Sequence, residues 1–254
     1  MFIFCLTTTV AALYYLNMFN TATSGTPRSA KSLGETTKEV IFEQALELFR
    51  TRGFEATTMR DIARAAKVAT GAAYYYFQSK EAIVMAYYDQ VQNRHGAKVR
   101  EELSVKQGLR ARLGIVMHSK LEILKNDRKF LGALFRYTGE PGHPLSVFGK
   151  GTAEQRKQSV EIFREAIGST EMSEEGKQLL PWAMWLAHLG MILFFIHDES
   201  EGQLKTHTLV DGLLDVVAGL AEFTNSALVR PLARPFQTRM LTLLKEVERG
   251  ELKF

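Results

Sequence analysis

The sequence predicts an all-α chain in two parts: an N-terminal three-helix unit built around a helix-turn-helix, then a larger helical domain. Three observations lead there. From Thr36 onward apolar residues recur at the three- and four-residue spacing of helices, and no stretch alternates like a half-buried strand. Two short segments with small inward residues flank the bend Lys67-Val68-Ala69. Of 254 residues 46% are hydrophobic, 24% are charged and only six are proline, which excludes disordered, collagen-like and proline-rich classes.

A single cysteine, Cys5, excludes an internal disulfide and a multi-cysteine metal site, and points to a reducing cytoplasm. The net charge of +4 is unevenly placed. Residues 1–80 hold nine Lys/Arg against six Asp/Glu, while the remainder holds 23 against 22. The excess suits an anionic partner for the first third of the chain.

The chain opens on a lead-in. No charge occurs before Arg28, and MFIFCLTTTVAALYYLNMF is largely apolar. Its length is near the ~20 residues of a membrane span, but Thr7, Thr8, Thr9 and Asn17 dilute it. It also lacks the positive n-region of a signal peptide. A start upstream of the real one, with Met18 as an alternative, or a loose arm is the plainer reading; membrane attachment is its rival. The Ser/Thr/Gly-rich segment NTATSGTPRSAKSLG completes an extension over 1–34.

A first helix is expected from Thr36, whose capping box with Glu39 satisfies orphan amides. Ile41, Ala45, Leu48 and Phe49 share its inner face, Arg50 and Arg52 suit its carbonyl end, and Gly53 stops it. Thr58 caps a second helix with Asp61 in its first turn and Met59, Ile62, Ala63 and Ala66 inward. The run from Thr70 to Phe77 makes the third. Small side chains let the last two helices cross closely, so that the third protrudes far enough to enter a DNA major groove. An ordinary helical hairpin fits the same pattern.

The run GFEATTMRDIARAAKVATGAAYYYFQSKEAIVMAYYD resembles the DNA-binding domain of the tetracycline-repressor-like (TetR/AcrR) family of bacterial regulators. Gly53-Phe54 ahead of Thr57-Thr58, the step Asp61-Ile62-Ala63, the set Gly71, Tyr74, Tyr76 and Phe77, and Ser79-Lys80-Glu81 carry the resemblance, from about Thr36 to Tyr88. Two positions depart from it. Lys67 stands where the family commonly has a turn glycine, and Ala69 where it has a capping serine; each costs on the order of 1 kcal/mol. The resemblance implies that Thr58, Tyr74, Tyr76 and Lys80 reach phosphates, and that Arg60 reaches a base edge, guanine being preferred. Base reading otherwise falls to Thr70, Gly71, Ala72 and Tyr75 on the exposed first turns, where small residues admit thymine methyls. Three consecutive tyrosines cannot share one helical face, so at least one is exposed.

Residues 35–80 are thus expected to form the DNA-binding domain, 81–225 a helical ligand-binding and dimerisation domain, and 226–254 a tail helix. Gly139 to Pro144 must be a loop. Apolar and aromatic groups flanking it are pocket candidates: Met117, Leu121, Leu134, Phe135, Tyr137, Phe148, Trp185, His188 and Met191. Plain core has the same look. The stretch from Trp182 to Phe195 is apolar all round and needs cover on every side. Leu209, Leu213, Val216, Val217 and Leu220 form a second stripe, with Gly212 and Gly219 permitting close approach. The resemblance implies that these last two helices pair with their mates as a four-helix bundle, placing Trp182, Leu189, Leu193, Leu209, Gly212, Leu213, Val216, Gly219 and Leu220 at the dimer interface. Beyond Arg230-Pro231 and Arg234-Pro235, Phe236 to Leu252 reads as an amphipathic tail helix without an assigned purpose.

Catalytic signatures are missing: the sequence has no GxSxG elbow, HExxH pair or P-loop, and Gly149-Lys150-Gly151-Thr152 lacks the upstream glycine. The six histidines lack metal spacing. His197-Asp198 reads as a capping pair, and Glu174-Glu175 and Glu199/Glu201 as solvated surface. The expectation is a homodimeric, cytoplasmic, nucleoid-associated transcription regulator, a repressor released from a palindromic double-stranded operator by an unidentified small-molecule effector. No metal, no cofactor and no enzymatic activity are expected. A helical enzyme and a membrane-tethered helical protein without a DNA-binding role are the alternatives.

Overall fold

A computed structural model describes residues 33–249 apart from 105, 106, 141, 169 and 227; the apolar lead-in lies outside the described residues. The chain divides into two units, 1–40 and 41–254. Regular structure among the described residues is helical throughout. Helix α1 is Leu33–Thr51 and so begins a turn before the expected capping box, with Glu35 as the acid at its positive end. Ile41, Ala45, Leu46 and Phe49 are its buried face. Gly53, at φ +91°, ends it in a conformation that a side chain would resist.

Helices α2 (Met59–Ala65) and α3 (Thr70–Tyr76) follow. Ile62 and Ala63 of α2 and Ala73 of α3 are buried, so little side-chain bulk separates the two. Lys67 takes the left-handed turn between them at φ +56°. Ser79 caps the long α4 (Lys80–Glu102), accepting from the Ala82 amide at 3.2 Å.

The larger part is arranged around α5 (Leu109–Leu124), which packs against α4, α7 and α9. Leu113, Val116, Met117, Leu121 and Leu124 are therefore all buried, as are the polar Arg112, Ser119 and Lys120. A 3-10 turn, Lys125–Asp127, leads into α6 (Arg128–Phe135). The expected break over Gly139 to Pro144 lies in a loop that runs to α7 (Ala153–Ile167). That loop is anchored: Leu145 and Ser146 are buried, and Ser146 Oγ donates to the Thr138 carbonyl at 2.9 Å.

Helix α8 (Glu174–His197) starts about two turns before the expected apolar run and carries Pro181 inside it. It is long and apolar enough to cross a membrane by composition, and it packs here against α6, α7, α9 and α10. Asp198 then acts as the expected cap. It accepts from the Ser200 amide at 2.9 Å and the Thr206 amide at 2.8 Å, ordering the start of α9 (Leu204–Asn225). Burial works against its charge, but the hydrogen bonds from Ser200 and Thr206 prevail and hold its pKa well below the carboxylate range.

The tail helix α10 spans Arg230–Arg249, earlier than expected. Pro231 falls in its first turn, where no amide donor is needed, and Pro235 is absorbed within it. Glu175 is not the solvated acid that the sequence suggests: it accepts from Arg234 Nε at 2.9 Å, and Ser173 Oγ donates to Gln237 at 3.1 Å. These contacts tie α10 to α8.

Candidate functional site

The helix-turn-helix presents a surface built from short-range chemistry. Thr58 Oγ1 accepts from the Asp61 amide at 3.2 Å, and the Asp61 carboxylate accepts from the Thr58 amide at 3.1 Å. The hydroxyl of Thr58 also donates to Asp61 at 2.6 Å, and these Thr58 bonds lower the Asp61 pKa. Thr58 therefore holds the start of α2 while remaining exposed. Ala69 contributes no side-chain cap to α3. Arg60, Thr70, Gly71, Tyr74 and Tyr75 are exposed, Tyr75 at 82%, while Ala72 and Tyr76 are half-buried. An added Cβ at Gly71 would meet nothing within 4 Å, so its surface is open. Lys80 is held inward: Nζ donates to the Phe54 carbonyl at 3.0 Å, sits 4.2 Å from the Phe54 ring centroid and lies 3.8 Å from Glu55. A phosphate at Lys80 has to compete with those partners.

Behind this surface, α1 is wired to the larger part. Arg50 Nε donates to Asp127 Oδ1 at 2.6 Å, and the Tyr87 hydroxyl donates to Asp127 Oδ2 at 2.8 Å. The hydrogen bond to Asp127 raises the Arg50 pKa, and burial followed by the Asp127 charge raises that of Tyr87. Phe49 stacks on Phe130 at 5.5 Å, and Tyr87 meets the same ring edge-on at 5.2 Å.

Tyr87 also lines a half-open cavity of about 130 Å³ formed by α4, α5, α6, α7 and α8 with the loop before α7. Its walls are apolar and aromatic, including Tyr88, Leu131, Leu134, Phe135, Trp185 and Leu189. Of the pocket candidates from the sequence, Leu134, Phe135, Trp185 and His188 line it. The others lie elsewhere. Met117 and Leu121 are taken up in the core around α5, Tyr137 stacks on His143 at 4.0 Å, Met191 packs against the core, and half-exposed Phe148 meets Trp185 edge-on at 5.8 Å. Of the polar lining only His188 is among the candidates; Gln92, Lys120, Thr138, Thr152, Gln155, Arg156 and Ser159 are not.

Lys120 is 5% exposed, and Nζ donates to Gln92 Oε1 at 2.6 Å. Burial pushes its pKa down to about 7. Nearby His95 donates from Nε2 to the Val116 carbonyl at 2.9 Å; burial and then the Lys120 charge push its pKa down to about 3. His188, equally buried, is held well below its ordinary value by the same causes, and its Nε2 has no partner. Among the described residues no group of three or more His, Cys, Asp or Glu is placed to hold a metal ion.

Residues 41–87 match the family described as "Bacterial regulatory proteins, tetR family", and residues 112–233 match the "Tetracyclin repressor-like, C-terminal domain". The HTH-type transcriptional regulator YerO of Bacillus subtilis (strain 168) is 35% identical over 226 residues, covering 84% of this chain and 75% of that protein. The chain belongs to the tetR family. It is a DNA-binding transcriptional regulator with the family's helix-turn-helix and helical C-terminal domain. A second relative, the probable HTH-type transcriptional regulator ArpR of Pseudomonas putida, is 37% identical over 70% of this chain and 72% of its own length. The match to YuxN of Bacillus subtilis is confined to 61 residues, 39% identical and 21% of that protein. Among solved structures, the TetR regulator of Nitrosomonas europaea superposes with a TM-score of 0.57 at 20% identity, over 71% of this chain and 97% of that one. FadR of Bacillus subtilis in complex with stearoyl-CoA gives 0.55 at 20% identity, over 69% and 96%.

The interface candidates from the sequence fall on α8 and α9. Leu193, Leu209, Val216 and Leu220 are large apolar residues left exposed, with Leu186, Phe194 and Phe223 beside them in sequence register. Leu209, Val216 and Phe223 are spaced by seven, one stripe along α9. Cβ atoms built at Gly212 and Gly219 would meet nothing within 4 Å, so both positions face open space. Trp182 and Leu213 are half-buried against the core, and half-buried Leu189 faces the cavity instead of the outer surface.

Proposed function

We propose that this regulator is a homodimeric repressor that leaves a palindromic operator when a small molecule fills the cavity. Residues 35–80 act as its DNA-binding domain, with Thr58, Arg60, Thr70, Gly71, Ala72, Tyr74, Tyr75 and Tyr76 facing the duplex and Lys80 exchanging its Phe54 and Glu55 contacts for a phosphate. Residues 81–225 sense the effector and dimerise through α8 and α9, 226–254 form the tail, and the protein works on chromosomal DNA in the cytoplasm rather than as an enzyme. One observation carries the reading: Tyr87 lines the cavity and, through Asp127, reaches Arg50 on α1. Occupancy that moves α4 thereby biases the position of the helix-turn-helix, a population shift between DNA-competent and released states. In a two-fold dimer even a small tilt changes the distance between recognition helices, which must match ~34 Å between successive major grooves. The stearoyl-CoA in complex with FadR, a protein of similar fold, supports a small-molecule effector.

The test is to map the DNA bound by the regulator across its genome, then measure retardation of the recovered sites with and without small molecules. Recovery of palindromic sites whose complexes dissociate on adding a cavity ligand is the expected result. Binding without sequence preference, or complexes indifferent to every cavity ligand, overturns it.

A further inference from the structure

We propose that the cavity selects a compact apolar monocarboxylate, with Lys120 as the group that pairs with its anion. The inference rests on the cavity being the effector site and adds the chemical class of the effector. The cavity is lined by two cations, Lys120 and Arg156, and by no acidic side chain among the described residues. Arg156 donates to the carbonyls of Val147 at 2.8 Å and Gly149 at 3.2 Å, so it fastens the loop and leaves its charge in the wall. Lys120 has one neutral acceptor, Gln92, and no carboxylate. Buried charges are normally paired, and an ammonium left with a single amide is an incomplete site.

Among the described residues, the groups around Lys120 offer no internal counter-ion. Helix α4 contributes Tyr87, Tyr88 and His95, α7 contributes Arg156, and α8 contributes His188. Asp127 is engaged by Arg50 and Tyr87, and Asp89 accepts from Gln155 Nε2 at 2.6 Å. Of two unsatisfied polar atoms in the cavity wall, His188 Nε2 can donate to an anion, whereas Gln155 Oε1 accepts and calls for a donor. A carboxylate satisfies this arrangement twice over: one oxygen pairs with Lys120, and the other accepts from His188 when Nε2 carries the ring proton. A cationic ligand meets Lys120 and Arg156, and a neutral one leaves the ammonium unpaired. Size sets the body of the ligand: about 130 Å³ approaches the ~150 Å³ apolar cavity that holds a benzene ring. The aromatic walls of Tyr88, Phe135 and Trp185 suit such a body.

Three probes share one body and differ in charge: benzoate, benzamide and benzylamine. Titration calorimetry on the full chain should show benzoate binding about tenfold or more tightly than either of the others, the range of a charge-assisted hydrogen bond. Benzoate binding at pH 8 should take up a proton from the buffer, because Lys120 regains its charge beside the anion, and uptake should vanish at pH 6. In Lys120→Met, benzoate should fall to the level of benzamide, with benzamide unchanged. Equal affinity for the three probes, no binding of benzoate at millimolar concentration, or a selectivity that survives in Lys120→Met overturns the proposal. The wild-type comparison and the proton uptake need no variant, so a poorly folding substitution does not remove the test. Retardation of operator DNA separates the two readings. Benzoate that binds through Lys120 without releasing DNA upholds the anion site and sinks the effector role, whereas release by benzamide alone does the reverse.

Discussion

Replacing Lys120 with methionine should make the protein more stable, and the gain should depend on pH in a defined direction. Lys120 titrates near 7 in the fold against an ordinary 10.5. At ~1.36 kcal/mol per unit, keeping it charged at pH 6 costs the folded state about 5 kcal/mol relative to the unfolded chain. Methionine has similar length and removes that cost, but it leaves Gln92 Oε1 without its donor, a loss of about 1–3 kcal/mol. The variant should therefore be stabilised by about 2–4 kcal/mol at pH 6. Between pH 7 and 10.5 the unfolded lysine binds more protons than the folded one, so the wild type gains stability as pH rises and the advantage of methionine shrinks. Burial raises the pKa of Tyr87 and Tyr88, which erodes stability at alkaline pH, but equally in both proteins. Urea midpoints measured from pH 6 to pH 10 give the difference directly. A variant no more stable than the wild type at pH 6, or a difference that stays constant to pH 10, refutes the assignment of Lys120 as an unpaired buried cation.

Thr58→Ala removes the hydroxyl arm of the capping box, while the backbone amide keeps its bond to Asp61, and should cost about 1 kcal/mol, read as a lower melting temperature, together with weaker operator retardation. Tyr75→Ala, at a position that touches little of the fold, should change stability by less than about 0.5 kcal/mol yet weaken operator binding; normal binding takes Tyr75 off the recognition surface. Asp127→Asn keeps an acceptor but loses the ion pair with Arg50. Cavity affinity should persist while effector-driven loss of operator affinity falls several-fold, and undiminished release rejects the Tyr87–Asp127–Arg50 path. Gly219→Leu projects into open space in the protomer, so helicity should be retained while overpacking of about 1–3 kcal/mol per site lowers the dimer fraction in sedimentation. A fully dimeric variant shows that this face does not pair.

The helix-turn-helix is legible because its determinants are local. Thr58 and Asp61 are three residues apart, Gly53 is a residue type suited to the positive φ that ends α1, and Ile62 and Ala63 declare an inner face. Boundaries are less legible: α1 begins before Thr36, so a capping pair need not mark a first turn, and α10 runs through Pro235 where its contacts with α8 hold it. The cavity is only half legible. Trp185 and His188 stand out by type, but a lysine on a helix reads as solvent-facing until the fold shows α5 enclosed. Pairings across the chain leave no local mark. Arg50 meets Asp127 over 77 positions, and His118 meets His207 over 89, two histidines whose spacing suggests nothing.

Helix α5 serves two neighbours with one rigid body. Lys120 and Leu124 face the cavity, while Gly114 lies against Leu214 of α9 and His118 Nδ1 sits 2.9 Å from His207 Nδ1. A close-packed helix cannot yield on one side and stay fixed on the other. Where α9 forms the two-fold contact of a dimer, a ligand that displaces α5 in one subunit perturbs the shared contact and so the empty cavity of its mate. The two sites then communicate, and a titration of release departs from a simple hyperbola. The Hill coefficient, above or below one, reports whether the first molecule bound eases or hinders the second.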